Sequence, residues 1–152
     1  MLLPALPPRR FLAAALVLAL AFAGAPVFAR EKTMYMQVAD KEFELILANT
    51  QAARAFAALL PLELEMAELN GNEKYAQLPQ SLPTNAHPPG RIEAGDVMLY
   101  GADTVVVFYE SFRTGYRYTR IGRLREVPTL AQTLGRGSVT VRFAAQPQTA
   151  GE

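Results

Sequence analysis

Short segments in which apolar and polar side chains alternate recur along the chain after residue 30, and this pattern restricts the fold more than any other feature. A period of two is typical of a β-strand that buries one face. The segments are 34–38, 42–47, 62–66, 97–100, 116–121 and 139–143, and residues 104–109 form a further strand that is apolar on both faces. Because short turns join most of them, we expect a mainly β protein closed into an antiparallel barrel, which leaves no strand edge unpaired.

Two short helices interrupt the strand pattern. Asn49 or Thr50 can cap a helix whose apolar side chains share one stripe, and Pro61 ends it. Residues 127–134 form a second helix, which Gly135 closes. We expect both helices to cap the barrel.

Between residues 72 and 91 several prolines forbid long regular elements. The sequence therefore predicts an extended loop, with one helical turn over residues 73–76. Asn70 and Gly71, just before it, are typical of a tight turn. Further along, Gly122 predicts a bulge or a close approach of two backbones.

The first 29 residues have the composition of a secretory signal peptide. Arg9 and Arg10 precede an unbroken apolar stretch of 13 residues at 11–23, and Ala29 ends a small-residue cleavage site. The stretch is shorter than the roughly 20 residues that span a bilayer, which favours cleavage over a membrane anchor. We expect a signal peptide (1–29), a barrel domain (30–145) and a loose tail (146–152). The expected location is periplasmic or secreted, with no membrane contact after cleavage.

Composition excludes several classes of function. The chain has no cysteine, which rules out disulfides, thiolate metal sites and cysteine nucleophiles. Its 15 basic and 14 acidic residues are nearly balanced, so nucleic acid is not an expected partner. The single histidine, His87, has no second metal ligand at a suitable spacing. We expect no metal, no cofactor and no hydrolytic catalytic residue.

Several motifs extend over nearly all of the chain after the leader. They are ELNGNEKY at 68–75, Leu-Pro pairs at 78–79 and 82–83, AGDVMLYG at 94–101, FY at 108–109 and YTRIG at 118–122. In this order they resemble a bacterial family of cyclophilin-like proteins of uncharacterised function. The resemblance implies a closed antiparallel barrel of about eight strands with two short capping helices.

The resemblance does not extend to the catalytic residues of true cyclophilins. A Phe-His-Arg motif is recognisable in those prolyl isomerases, whereas this chain has neither that motif nor a tryptophan. The isomerase reaction requires at least an arginine donor over an apolar pocket. Arg120, beside Tyr116 and Tyr118, is the candidate donor, so prolyl isomerisation stays an alternative.

Tyr116, Tyr118 and Arg120 fall on one face of a predicted strand and form the main candidate ligand site. Two amphipathic rings and a fixed cation can hold an anionic or planar ligand, or a peptide carbonyl. Asn72 and Tyr75, at the start of the long loop, complete the candidate set. Ordinary solvated strand faces and turns also carry these patterns, so a purely structural role is the competing interpretation.

These observations favour a non-catalytic module that binds a small molecule or a peptide after export. A prolyl isomerase or folding helper for exported proteins is the enzymatic alternative. A structural subunit that pairs through an exposed strand is the third hypothesis, and it predicts a stable dimer.

Overall fold

The structure is a computed structural model that describes residues 32–149. The predicted signal peptide lies outside the described residues. The strands are β1 (Thr33–Val38), β2 (Lys41–Leu47), β3 (Leu62–Leu69), β4 (Glu73–Gln77), β5 (Arg91–Ile92), β6 (Asp96–Tyr100), β7 (Thr104–Phe108), β8 (Phe112–Arg113), β9 (Thr119–Leu124) and β10 (Val139–Ala144), and the helices are α1 (Gln51–Ala58) and α2 (Leu130–Leu134). Within the described range, no helix has the length and apolar character needed to cross a membrane.

Eight strands close into an antiparallel barrel in the order β1-β10-β3-β4-β7-β6-β9-β2, and β2 pairs back to β1. Closure brings the first and last strands together, where Tyr35 pairs with Ala144 and Gln37 with Arg142. The predicted fold class, a mainly β barrel with two helices, is confirmed. β5 and β8 form a separate sheet outside the barrel. The sequence did not predict them, because a two-residue strand has no detectable alternation.

Apolar side chains from every barrel strand fill the interior. Its fully buried members include Met36, Leu45, Met66, Val97, Val107, Ile121 and Phe143. Helix α1 packs onto this core, with the rings of Phe56 and Phe143 edge to face at 5.2 Å between centroids. Thr50 caps the helix as predicted, since its hydroxyl oxygen accepts from the Ala53 amide at 3.0 Å. The same hydroxyl donates to the Arg120 carbonyl at 2.8 Å and so joins α1 to β9.

Gly122 lies where β2 and β9 approach each other closely. A Cβ atom at this position would be 2.4 Å from the Ile46 carbonyl oxygen, a distance that real Cβ atoms do not show. On the other side of β9, the register with β6 shifts between Val97 and Met98. The prediction of a bulge or a close approach at Gly122 is therefore confirmed, and both features occur there.

The helical turn predicted over residues 73–76 is wrong, because this segment is strand β4 between β3 and β7. Its alternation places Lys74 and Ala76 in the barrel interior and Glu73 and Tyr75 on the outer face. A lysine in the interior makes both faces of the segment polar in sequence, and this conceals the strand. The predicted loop is confirmed for the stretch between β4 and β5.

Two other boundaries also differ from the prediction. Strand β9 begins at Thr119, so Tyr116 and Tyr118 precede it, and the Tyr118 backbone pairs with His87 instead of a barrel neighbour. Helix α2 starts later than predicted, at Leu130, and Gly135 ends it as expected.

Lys74 is fully buried, and its ammonium group is surrounded by acceptors. The nitrogen lies 2.8 Å from the Gly135 carbonyl oxygen, 2.6 Å from that of Gly137 and 3.1 Å from a Glu68 carboxylate oxygen. Three acceptors match the three donor hydrogens of an ammonium group. The Tyr109 hydroxyl also donates to Glu68. This network ties β3 and β4 to the turn between α2 and β10.

Replacing Lys74 with methionine keeps a long side chain but removes all three donor hydrogens. We expect the free energy of unfolding to fall by about 3 kcal/mol, because the carboxylate and both carbonyls lose their shared donor. Urea unfolding measures the change. The matched control, Lys41→Met at an exposed position, should change stability by less than about 0.5 kcal/mol. Equal stability of Lys74→Met and wild type would contradict this role.

Candidate functional site

A cleft of about 600 Å³ lies on the outer face of the barrel. Its floor consists of outward-facing side chains of β4, β6 and β7, and residues 112–118 form a wall. Its aromatic lining residues are Tyr75, Tyr100, Phe112, Tyr116 and Tyr118, and its polar ones are Asn70, Asn72, Glu73, Thr104, Arg113 and Thr114. We call it the tyrosine cleft. Its volume is in the range of small-molecule sites, which is about 300–1,000 Å³.

A second apolar cluster holds the wall of the cleft against the barrel. It contains Ile92, Met98, Val106, Phe108 and Tyr118, with Phe112 packed against it. Because the side chains of β7 alternate, this strand contributes to the barrel core on one face and to the second cluster on the other. The prediction that residues 104–109 form a strand buried on both sides is confirmed.

Aromatic rings form a continuous row through the cleft wall. The ring centroids are 6.3 Å apart for Tyr116 and Tyr100, 5.9 Å for Tyr100 and Tyr118, and 5.5 Å for Tyr118 and Phe108. Tyr118 is only 6% exposed, whereas Tyr116 at the rim is 66% exposed. Burial raises the pKa of Tyr118, and the nearby negative charge of Glu73 raises it further. Tyr118 therefore anchors the wall, and Tyr116 is free to contact a ligand.

Glu73 places a nearly buried carboxylate in the cleft. It is 9% exposed and pairs in register with Phe108, so both side chains lie on the outer face. Burial raises the pKa of the Glu73 carboxyl group, and the charge of Glu68 adds to this effect. Among residues 32–149, none donates a hydrogen bond to this carboxylate or forms a salt bridge with it.

Asn72, the neighbour of Glu73, contributes a second acceptor without a donor. Its side-chain carbonyl oxygen is buried and accepts no hydrogen bond from the described part of the chain. Its backbone is held on both sides: the amide donates to Leu69 at 3.3 Å, and the carbonyl accepts from Tyr109 at 3.0 Å. Because the Asn72 oxygen has no contact with solvent, the Glu73 carboxylate is the acceptor that a donor from outside can reach.

Four of the five predicted site residues line the tyrosine cleft, namely Asn72, Tyr75, Tyr116 and Tyr118. The fifth, Arg120, lies outside it. Its guanidinium is 3.3 Å from an Asp96 carboxylate oxygen, which Arg123 also contacts at 2.8 Å. Asp96 is fully buried, and its other oxygen accepts from the Glu93 amide at 2.9 Å. Arg120 thus belongs to a structural ion-pair cluster.

Sequence reasoning missed Glu73, Tyr100, Phe112 and Arg113 as lining residues. The sequence predicts a helical turn at Glu73, although its spacing of two from Tyr75 is the signal that places both on one strand face. Tyr100 and Phe112 come from separate elements, and only their packing near Tyr118 and Phe108 brings them together.

Other parts of the described chain are weaker candidates. His87 lies outside the cleft, with its ring Nδ1 3.0 Å from the Asn85 carbonyl oxygen. Within residues 32–149, no three His, Cys, Asp or Glu side chains are grouped as a metal site requires. A depression of about 660 Å³ beside β3, β10 and residues 144–149 is lined by no aromatic ring. The tyrosine cleft is therefore the best-supported site.

Residues 36–144 match the model of the Cyclophilin-like family. The fold is also similar to that of the hypothetical protein AF2241 from Archaeoglobus fulgidus, known from a solution structure, with a TM-score of 0.53 and 17% sequence identity. That match covers 76% of this chain and 95% of the archaeal chain. At this identity the likeness shows the fold alone. A comparison with curated proteins finds no match.

The raised pKa of Glu73 predicts a pH-dependent effect on stability. An acid whose pKa rises on folding stabilises the protein fully below its ordinary value, here 4.5, and this contribution is lost as the pH rises through the folded-state pKa. We therefore expect Glu73→Gln to have a higher free energy of unfolding than wild type at about pH 8, and the difference to disappear near pH 4. Urea unfolding at the two pH values measures this.

The control is Glu44→Gln, which removes an exposed carboxylate from β2. The free energy of unfolding of Glu44→Gln should not rise comparably above that of wild type at the higher pH. If Glu73→Gln were less stable than wild type there, the burial argument would be wrong.

Proposed function

This chain belongs to the cyclophilin-like family, and we propose that it is an exported, non-catalytic module that binds a small molecule or a peptide in the tyrosine cleft. The observation that carries the proposal is a concave aromatic surface that contains the nearly buried Glu73 carboxylate, to which none of residues 32–149 donates a hydrogen bond. Mostly apolar pockets with a few well-placed polar groups are typical of ligand sites.

The arrangement of the ionisable groups supports binding rather than catalysis. A general acid or base needs a partner that orients it, and none of the described residues hydrogen-bonds to the Glu73 carboxylate. For the isomerase alternative, Arg120 was the candidate donor, but its guanidinium is paired with Asp96 outside the cleft. Arg113, exposed on β8, is the arginine that lines the cleft instead.

Export is the second part of the proposal, and it rests on the composition of residues 1–29. The test is expression of the full chain in a Gram-negative host, followed by mass measurement of the protein in each cell fraction. We expect a periplasmic or secreted protein whose mass lacks residues 1–29. A full-length protein confined to the cytoplasm would contradict export.

Binding is tested by a thermal-shift screen of the exported protein against small metabolites and proline-containing peptides. A ligand that binds only the folded state raises the melting temperature by mass action. We expect Tyr116→Ala to weaken a hit by about threefold to tenfold, through loss of an aromatic contact. Tyr35→Ala, which changes a tyrosine on β1 away from the cleft, is the matched control and should bind like wild type.

Three results would redirect the proposal. Equal binding by wild type and Tyr116→Ala would place the site elsewhere. Turnover of an Xaa-Pro tetrapeptide that is lost in Arg113→Ala would favour the isomerase alternative. A stable dimer in light scattering, with no hit in the screen, would favour the structural subunit.

A further inference from the structure

Resting on the binding function proposed above, we propose that the ligand of the tyrosine cleft carries a primary ammonium group, which binds to Glu73 beside the tyrosine rings. A small alkyl amine and the side chain of a lysine in a peptide share this chemistry. Electrostatics and hydrogen bonding at Glu73, together with the aromatic lining, support the assignment.

The first argument is an uncompensated negative charge. Glu73 is 9% exposed and has no salt bridge within residues 32–149. Its acidic neighbour Glu68 is already paired with Lys74 at 3.1 Å and accepts from the Tyr109 hydroxyl. Lys74 cannot form a salt bridge with Glu73, because the Lys74 side chain points into the barrel, where three acceptors surround its nitrogen. A cationic ligand group would provide the missing counter-charge.

The second argument is the match of donors to acceptors. Among the lining residues of the cleft, the Glu73 carboxylate accepts no hydrogen bond from residues 32–149, and an ionised carboxylate can only accept. A primary ammonium has three N–H donors and can donate to both oxygens of this carboxylate. A quaternary ammonium has the charge but no donor, and an alcohol has one donor but no charge. Charge-assisted hydrogen bonds of this kind are stronger than neutral ones.

The third argument is the lining around the Glu73 carboxylate. Tyr75, Tyr100 and Tyr116 are all partly exposed and line the same cleft as Glu73. Aromatic faces attract a cation, and they also cover the methylene groups of an alkyl chain. The arrangement fits an apolar chain that ends in an ammonium group.

Arg113 is the other charged residue that lines the cleft, and its positive charge repels a cationic ligand. It is exposed and forms no salt bridge with Glu73. Because solvent screens an exposed charge, we expect its repulsion of a bound ammonium to be weak. Arg113→Gln should therefore strengthen ammonium binding slightly, by no more than about threefold.

The experiment uses the full chain as exported, labelled with ¹⁵N, and follows amide chemical shifts during titration. The probes are pentylammonium, its uncharged analogue pentan-1-ol, and tetramethylammonium. N-acetyl-lysine amide represents a lysine side chain of a peptide. We expect pentylammonium to shift the amides of Asn72, Glu73 and Tyr75, and to bind at least about tenfold more tightly than pentan-1-ol or tetramethylammonium.

Variants then identify the groups responsible. Glu73→Gln should weaken pentylammonium binding at least about tenfold, because it removes the negative charge of the carboxylate. Glu44→Gln, which removes an exposed charge elsewhere on the barrel, should bind like wild type. Because Glu73→Gln is expected to be at least as stable as wild type near neutral pH, lost binding cannot be attributed to unfolding.

The outcomes separate this inference from the proposed function. Equal binding of pentylammonium and pentan-1-ol, or unchanged binding by Glu73→Gln, would overturn the ammonium assignment and leave a binding cleft in place. If the screen found no ligand that binds in the cleft, both the ammonium assignment and the proposed binding function would be overturned. Binding by N-acetyl-lysine amide as well as pentylammonium supports the assignment and identifies a lysine side chain as a source, whereas pentylammonium binding alone supports it for small amines.

Discussion

The contacts of Lys74 determine how β4 sits in the barrel, and the cleft depends on that placement. A buried ammonium is tolerated because Gly135, Gly137 and Glu68 surround it with acceptors. Since side chains alternate along a strand, a lysine fixed inside places Glu73 and Tyr75 on the outer face. The Glu73 carboxylate therefore lies in the cleft because its neighbour Lys74 faces the barrel interior.

The cleft also requires a cover over the outer face of β6 and β7. Phe108 and Met98 are apolar on that face, and Tyr118 packs over them as part of the second apolar cluster. Burial of these side chains holds residues 112–118 against the barrel. The cover is incomplete beside β4, where Glu73, Tyr75 and the exposed Tyr116 surround an open volume. The candidate site thus lies where one apolar cluster ends and a strand with polar outward side chains begins.

Much of the fold could be predicted because its signals are local. The hairpin of β1 and β2, the Thr50 cap and the closing Gly135 all depend on residues a few positions apart. The order of motifs along the chain then indicated the barrel. Strand β4 could not be predicted in this way, because the feature that conceals it is a lysine whose two carbonyl acceptors lie 61 and 63 residues away.

The sequence by itself determined a cysteine-free, mainly β chain with alternating strands, capped helices and tyrosines at positions 75, 116 and 118. Only the tertiary structure decided which polar side chains are paired. Asp96 holds Arg120 from 24 residues away, and Lys74 is held inside the barrel, while Glu73 and Asn72 have no donor in the described chain. The physical reason is the separation in sequence of the interacting residues. Alternation and capping depend on near neighbours in the chain, whereas the partner of a charged side chain depends on which strands pair across the barrel.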